Sequence, residues 1–271
     1  MNFKTILTRS VSGIIYVGII VGCIFWGLIP FSCLVALFGT LAVIEFEKIC
    51  EGINEKNLPA LILDIAGVIC LSLSWLVYPV LIWVLVYLCR MVMELYLNNG
   101  KPLNCLAHSL MTQIYIGLPM ACLTLIGKEW GLHIVLAIFL MIWINDTGAF
   151  IVGCSIGRHK LFERLSPKKS WEGFFGGLAF NVLAGWLFAI GGKNFWGVPD
   201  WNPLSWIILG IIVTIFSTWG DLVESMFKRS FNIKDSGNLI PGHGGILDRI
   251  DSLLLVMPAA LIFMIYCFMI F

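Results

Sequence analysis

Charge is scarce in this sequence. Of 271 residues, 12% are Asp, Glu, Lys or Arg and 59% are hydrophobic, and one water-soluble core cannot hide that much apolar surface. An ordinary soluble globular protein is excluded, and the excess must face lipid. The net charge is +1, so no global field attracts nucleic acid and the basic residues matter only where they cluster. Cysteines at paired ligand spacing are also missing. The nine cysteines are scattered singly, among them Cys23, Cys70, Cys89, Cys122 and Cys267 in apolar stretches, which suits small core hydrophobes better than a disulfide framework or metal site. There is no Ser-, Pro- or Gly-rich linker, no low-complexity tract and no repeat that can be aligned, so a single membrane domain over 1–271 is expected. The first apolar stretch follows Lys4 and Arg9 as a signal peptide would. It is long, runs directly into the next apolar stretch and lacks a small-residue cleavage site, so it reads as a retained helix.

What the sequence has is apolar length. Crossing the hydrocarbon layer takes ~20 apolar residues per helix. About nine such stretches are separated by short polar loops, at 11–30, 31–45, 59–78, 79–95, 104–126, 131–153, 171–190, 203–220 and 246–271. The expected fold is therefore all-α, a polytopic membrane protein of about nine transmembrane helices. The second and fourth stretches are short and call for tilt, partial burial or extension. An odd number of spans puts the termini on opposite sides, and the positive-inside rule assigns them. The N-terminus and even-numbered loops hold Lys4, Arg9, Lys48, Lys56, Lys101, Arg158, Lys160, Arg164, Lys168, Lys169, Lys228, Arg229 and Lys234, whereas the odd-numbered loops hold only Lys128 and Lys193. The N-terminus is expected in the cytoplasm and Phe271 outside.

The two halves differ. Residues 1–140 carry few ionisable groups in their helices and read mainly as scaffold, whereas 141–271 concentrates charge in two loops, 154–170 and 221–245, and reads as the catalytic half. Among the early charges, Arg90 and Glu94 are four apart and can pair on one helix face. Asp64 suits either a helix-packing hydrogen bond or a substrate cavity.

The most informative segment runs from Asp221 to Ser252, DLVESMFKRSFNIKDSGNLIPGHGGILDRIDS, and is far too polar for an ordinary turn. If the preceding helix continues past Gly220, then Asp221, Glu224, Ser225 and Lys228 share one face. Asp248 and Asp251 repeat the pattern at i, i+3 where the last helix begins, a place where the dipole also favours a carboxylate as a simple cap. Two acidic helix ends joined by a loop with Lys228, Arg229, Lys234 and His243 suit a hard cation beside a phosphate site. Magnesium takes one or two carboxylates, several waters and substrate phosphate oxygens, while Lys and Arg neutralise the remaining charge. The turn Pro241-Gly242-His243-Gly244-Gly245 offers backbone amides that could approach an anion just before a helix N-terminus.

From Ser225 to Asp251 the residues S-M-F-K-R, K-D-S-G and I-P-G-H-G-G-I-L-D-R-I-D resemble the signature of the phosphatidate cytidylyltransferases, also called CDP-diacylglycerol synthases. Two further segments are similar to the same family: Asn145-Asp146-Thr147-Gly148-Ala149-Phe150 at the end of the sixth helix, and Ser166-Pro167-Lys168-Lys169-Ser170-Trp171-Glu172-Gly173 opening the seventh. Ser166 before Pro167 suits a turn or helix start, and Glu172 suits a first helical turn. Taken alone, Lys168 and Lys169 would mark a lipid headgroup or topology signal. The neighbouring motifs favour contact with phosphate.

The resemblance implies that CTP and phosphatidic acid give CDP-diacylglycerol and pyrophosphate, by attack of the lipid phosphate on the α-phosphorus of CTP. Such chemistry rests on positioning and charge neutralisation more than on a protein nucleophile. Asp221 and Asp248 are expected to hold magnesium, for which manganese would substitute, with Glu224 and Asp251 beside them. Asp146, Lys168, Lys228, Arg229, Lys234, Asp235, His243 and Arg249 are expected in the reaction centre, His243 either donating to pyrophosphate or capping the loop. Ser166, Lys169, Ser170, Glu172, Ser225, Gly244 and Gly245 are expected to bind substrate. The resemblance leaves room for a second, monovalent cation and for a homodimer, and implies a multi-pass protein of the cell inner membrane working on membrane lipid at its cytoplasmic face. A CTP-dependent lipid-alcohol kinase would need similar parts and attack a different phosphorus. A transporter would place its charged groups nearer mid-membrane, in repeated halves.

Overall fold

Long uninterrupted apolar runs leave a chain in lipid little choice but helix, because every backbone N–H and C=O must be satisfied within the segment. The computed structural model describes residues 3–50, 58–97, 101–195, 201–237, 239 and 244–270. In chain order the helices are α1 (Phe3–Trp26), α2 (Leu28–Cys50), α3 (Leu58–Ser72), α4 (Val77–Glu94), α5 (Pro102–Thr112), α6 (Leu118–Glu129), α7 (Leu132–Ile156), α8 (Trp171–Phe195), α9 (Pro203–Ser230) and α10 (Leu247–Ile270). A π turn, Gln113–Gly117, joins α5 and α6 into one rod, so the ten labels describe nine rods among the described residues. Each corresponds to one of the nine apolar stretches.

Six rods are long and apolar enough to cross a membrane: Leu28–Cys50, Pro102–Glu129, Leu132–Ile156, Trp171–Gly191, Pro203–Ser230 and Leu247–Cys267. The expectation of about nine spans is thus slightly more than these helices support. Leu58–Ser72 has 15 residues, or about 22 Å at 1.5 Å per residue, short of a ~30 Å hydrocarbon layer. The fold is all-α and polytopic. Outward-facing large apolar side chains such as Ile14, Trp26 and Leu81 would be a liability in water and are ordinary against lipid.

The chain forms two compact units, one of residues 1–128 with 231–250, the other of 129–230 with 251–271. In the first, α2 packs on α3, α3 on α4, and the π turn on α3 and α5, around Phe31, Phe46, Ile116 and Met120. A buried polar network ties three of these helices together. Arg90 bonds Glu94 at 2.7 Å, as their spacing predicts, and approaches Asp64 at 3.5 Å. Ser109 donates to Asp64. Gln113 of the π turn donates to the Asp64 carbonyl at 3.0 Å and accepts from Trp83 Nε1 at 3.1 Å. Asp64 therefore makes the helix-packing bonds that were one of its two expected roles.

In the second unit α7, α8 and α9 pack pairwise around Ile138, Met141, Trp206 and Leu209. Between α7 and α8 lies an antiparallel hairpin of β1 (Lys160–Phe162) and β2 (Ser166–Ser170). This corrects the expectation that Ser166-Pro167 starts a turn or helix. Pro167 lacks an N–H and is tolerated near the start of an edge strand, and α8 begins only at Trp171.

Candidate functional site

The second unit places four charged side chains of the expected site around one cleft. Asp146 reaches it from α7, Lys168 and Lys169 from β2 and Asp221 from α9, and Phe150 and Phe174 supply apolar wall. Its volume is about 260 Å³. Small residues permit this arrangement. A Cβ on Gly176 would lie 2.5 Å from Val152 Cβ, so glycine lets α8 approach α7 closely and bring Asp146 near the hairpin.

The hairpin is tied at both ends. Ser170 is the N-cap of α8, its Oγ accepting from the Gly173 amide at 3.2 Å. Glu172, in the first turn, accepts from the amides of Arg158 and His159 at 3.1 and 3.2 Å and bonds His159 Nδ1 at 2.6 Å. The structure thus gives Ser170 and Glu172, both expected to touch substrate, definite bonds in holding the strand that carries the lysines. Lys169 is half-buried and Lys168 exposed. Lys169 Nζ lies 2.8 Å from Asp221 Oδ2 and donates to the Thr218 carbonyl at 3.3 Å.

α9 continues through Asp221 to Ser230, as the acidic spacing predicts. Ser225 Oγ donates to Asp221 Oδ1 at 3.3 Å. Lys228 bonds Glu224 at 2.5 Å one turn later, and these two, like Arg229, do not line the cleft. At Gly220 an added Cβ would sit 2.8 Å from the Asp251 carbonyl oxygen and 3.0 Å from Ser252 Cα. Glycine there lets α10 touch α9, and Ser252 Oγ donates to the Ser217 carbonyl at 3.3 Å. Asp251 consequently feels the negative charges of Asp221 and Asp146 and the positive charge of Lys169.

Asp146 and Asp221 line the cleft with carboxylate oxygens, the donors a hard cation takes, beside Lys168 and Lys169. Among the described residues, no group of three or more His, Cys, Asp or Glu is placed to hold a metal ion. Magnesium, which usually keeps several waters and takes one or two carboxylates, does not demand such a cage.

The first unit holds the remaining expected residues. Lys234 and Asp235 are exposed, as is Arg249, whose carbonyl accepts from Tyr16 at 3.3 Å. Asp248, in the first turn of α10, accepts from the amides of Ser236 at 3.0 Å and Gly245 at 2.8 Å. Gly244 has φ +82°, the left-handed region where glycine is at ease. The amides of Ile246 and Leu247 donate to Glu45 of α2 at 3.0 and 2.9 Å. Of the amides in the turn 241–245 that were expected to approach an anion, that of Gly245 already serves Asp248. His243, with Pro241 and Gly242, lies outside the described residues, as does Lys56 among the topology signals. Glu45 was not singled out from the sequence, although being the first carboxylate after the long apolar run 34–44 is the signal that marks it.

The sequence profile of the Cytidylyltransferase family matches residues 7–267. A protein of Staphylococcus saprophyticus named phosphatidate cytidylyltransferase is 44% identical over 154 residues, covering 56% of this chain and 56% of that protein. Proteins of the same name from Staphylococcus aureus and Staphylococcus haemolyticus are 43% and 44% identical over 156 residues, with the same shares. The chain thus spans little more than half the length of the curated relatives it matches. Because the profile covers nearly the whole sequence, from the first apolar stretch to the last, the chain belongs to the cytidylyltransferase family.

Proposed function

We propose that the protein transfers the cytidylyl group of CTP to phosphatidic acid, giving CDP-diacylglycerol and pyrophosphate at the cytoplasmic face of the cell inner membrane. The observation that carries this reading is the cleft in which Lys168 and Lys169 meet Asp146 and Asp221. The name shared by the relatives supports it. Cations for phosphate and carboxylates for a divalent metal are what two anionic reactants require. Asp221 and Asp248 are each proposed as a ligand of magnesium or manganese, on the sequence argument that they bracket one polar segment between the last two apolar stretches. When bound, the metal would neutralise phosphate charge and polarise the phosphoryl oxygens.

The chain's own residues then bind and orient. Lys168, at the exposed rim, meets the triphosphate first, and Lys169 exchanges Asp221 for a phosphate oxygen. Phe150 and Phe174 keep the lipid end of the cleft apolar. A lipid phosphate oxygen, already ionised at neutral pH, forms the new bond to the α-phosphorus as the bond to the β-phosphate bridging oxygen breaks. Pyrophosphate leaves with that electron pair. Lys228, Arg229, Lys234 and Arg249 are further candidates for phosphate contact, and a second copy of the chain is a proposed partner.

Labelled CTP supplied with phosphatidic acid and magnesium to the detergent-solubilised protein should yield a cytidylated lipid and pyrophosphate. With a lipid alcohol supplied as well, a phosphorylated lipid alcohol would point to a kinase instead, and formation of neither product would overturn the reading. Reporters fused after Phe271 and within 154–169 should report opposite sides of the membrane, and cross-linking at low protein density tests the homodimer.

A further inference from the structure

We propose that Glu45 is a positioning residue for this reaction, holding Ser236 and the residues that open α10 so that Asp248 is aimed. The inference rests on the proposal that Asp248 binds the divalent cation. Glu45 lies near the end of α2, far from the acidic motifs in sequence, and is 7% exposed. A carboxylate so placed is costly unless its oxygens find donors, and three are present. Ser236 Oγ donates to Oε2 at 3.1 Å, Ile246 N to Oε1 at 3.0 Å and Leu247 N to Oε2 at 2.9 Å. The last two are amides at the start of α10, where a negative charge is favoured by the helix dipole.

The surrounding backbone is shaped to this carboxylate. A Cβ on Gly237 would come within 2.8 Å of Oε1, and one on Gly245 would collide with Oε2 and with Ser236 Oγ. Glycine at both positions lets the backbone close over Glu45. The same few residues serve Asp248. Ser236 gives its hydroxyl to Glu45 and its amide to Asp248, and Gly245 gives its amide to Asp248 while its neighbour Ile246 serves Glu45. The two carboxylates form one clasp on Ser236 and on the amides of residues 245–247. Loss of the Glu45 charge would therefore loosen the bonds that orient Asp248, without removing a ligand.

The test compares full-length wild type with Glu45→Gln and, should that variant fold poorly, Ser236→Ala, which deletes one bond to Glu45 and keeps the amide serving Asp248. Manganese binding is read by electron paramagnetic resonance, and amide hydrogen exchange is read over 236–248. Expected results are a roughly tenfold weaker manganese affinity for Glu45→Gln, the range typical of residues that support ligands, a smaller shift for Ser236→Ala, and faster exchange confined to this segment. Faster exchange with unchanged manganese affinity would make Glu45 a structural brace and overturn the proposal, as would unchanged exchange. If wild type binds no manganese while Asp248→Asn matches it in every assay, the cation assignment itself fails. Unchanged exchange in Glu45→Gln would sink the clasp separately.

Discussion

Carboxylates do opposite things in the two units. In the first, Glu45 and Asp248 are wrapped in backbone amides and a serine hydroxyl, and Asp64 takes Ser109 and Arg90. Negative charge there organises the chain. In the second unit Asp251 is buried within the field of Asp221 and Asp146, relieved by the Ser252 amide at 2.6 Å and by Lys169, which pairs with Asp221. Like charges brought together destabilise a fold unless something is gained, so crowding points to the cleft as a place for binding, while the amides around Glu45 and Asp248 fix where those two carboxylates stand. The difference teaches that acidity alone does not locate a site; the partners of each carboxylate do.

This contrast can be broken most directly at Asp221. Asp221→Asn keeps the size and removes the charge, and magnesium-dependent turnover should fall about 100-fold or more, the scale of losing one electrostatic contact in a phosphoryl-transfer site. Full activity in the folded variant would remove Asp221 from the centre. Lys169→Gln should lower turnover about tenfold and raise KM for CTP, since it loses both the Asp221 partner and a phosphate contact. Unchanged kinetics would return the lysine to a topology role. Glu172→Gln weakens a clasp on Arg158 and His159 rather than the cleft, so a drop of about threefold in turnover is expected from the looser hairpin. A loss as large as that of Asp221→Asn would show that Glu172 meets substrate. Arg90→Ala should have the smallest effect on turnover per folded molecule, less than about twofold, while costing about 3–5 kcal/mol of stability by leaving buried carboxylates unpaired. Denaturation in mixed detergent together with kinetics at low temperature would separate the two.

Hydropathy alone located the nine helical rods among the described residues, because a lipid solvent punishes every break in a helix. The continuation of α9 through Asp221, Ser225 and Lys228 was legible in the same way, from spacing. Strand pairing in 160–170 was not. Three- and five-residue strands carry too few side chains to establish a period of two, and the lysines there mimic a topology signal. Glu45 stayed hidden because its partners, Ser236, Ile246 and Leu247, are about 190 to 200 residues away, and two of them contribute amides, which any residue other than proline has. The arrangement of Asp251 near Asp146 and Asp221 depends on Gly220 touching α10, a contact that no local pattern announces.

The bond from Lys169 to Asp221 means that the cleft carries its own counter-ion. Under the proposed function, a phosphate arriving there would meet a lysine already engaged, so binding would proceed by exchange: one ion pair dissolves as another forms. Simple attraction would reward any small anion, whereas exchange favours a molecule able to occupy Lys169 while a cation takes over Asp221. If the proposed function holds, inorganic phosphate without a divalent cation would leave that carboxylate stranded, and the resting cleft would favour a metal-bound polyphosphate over it.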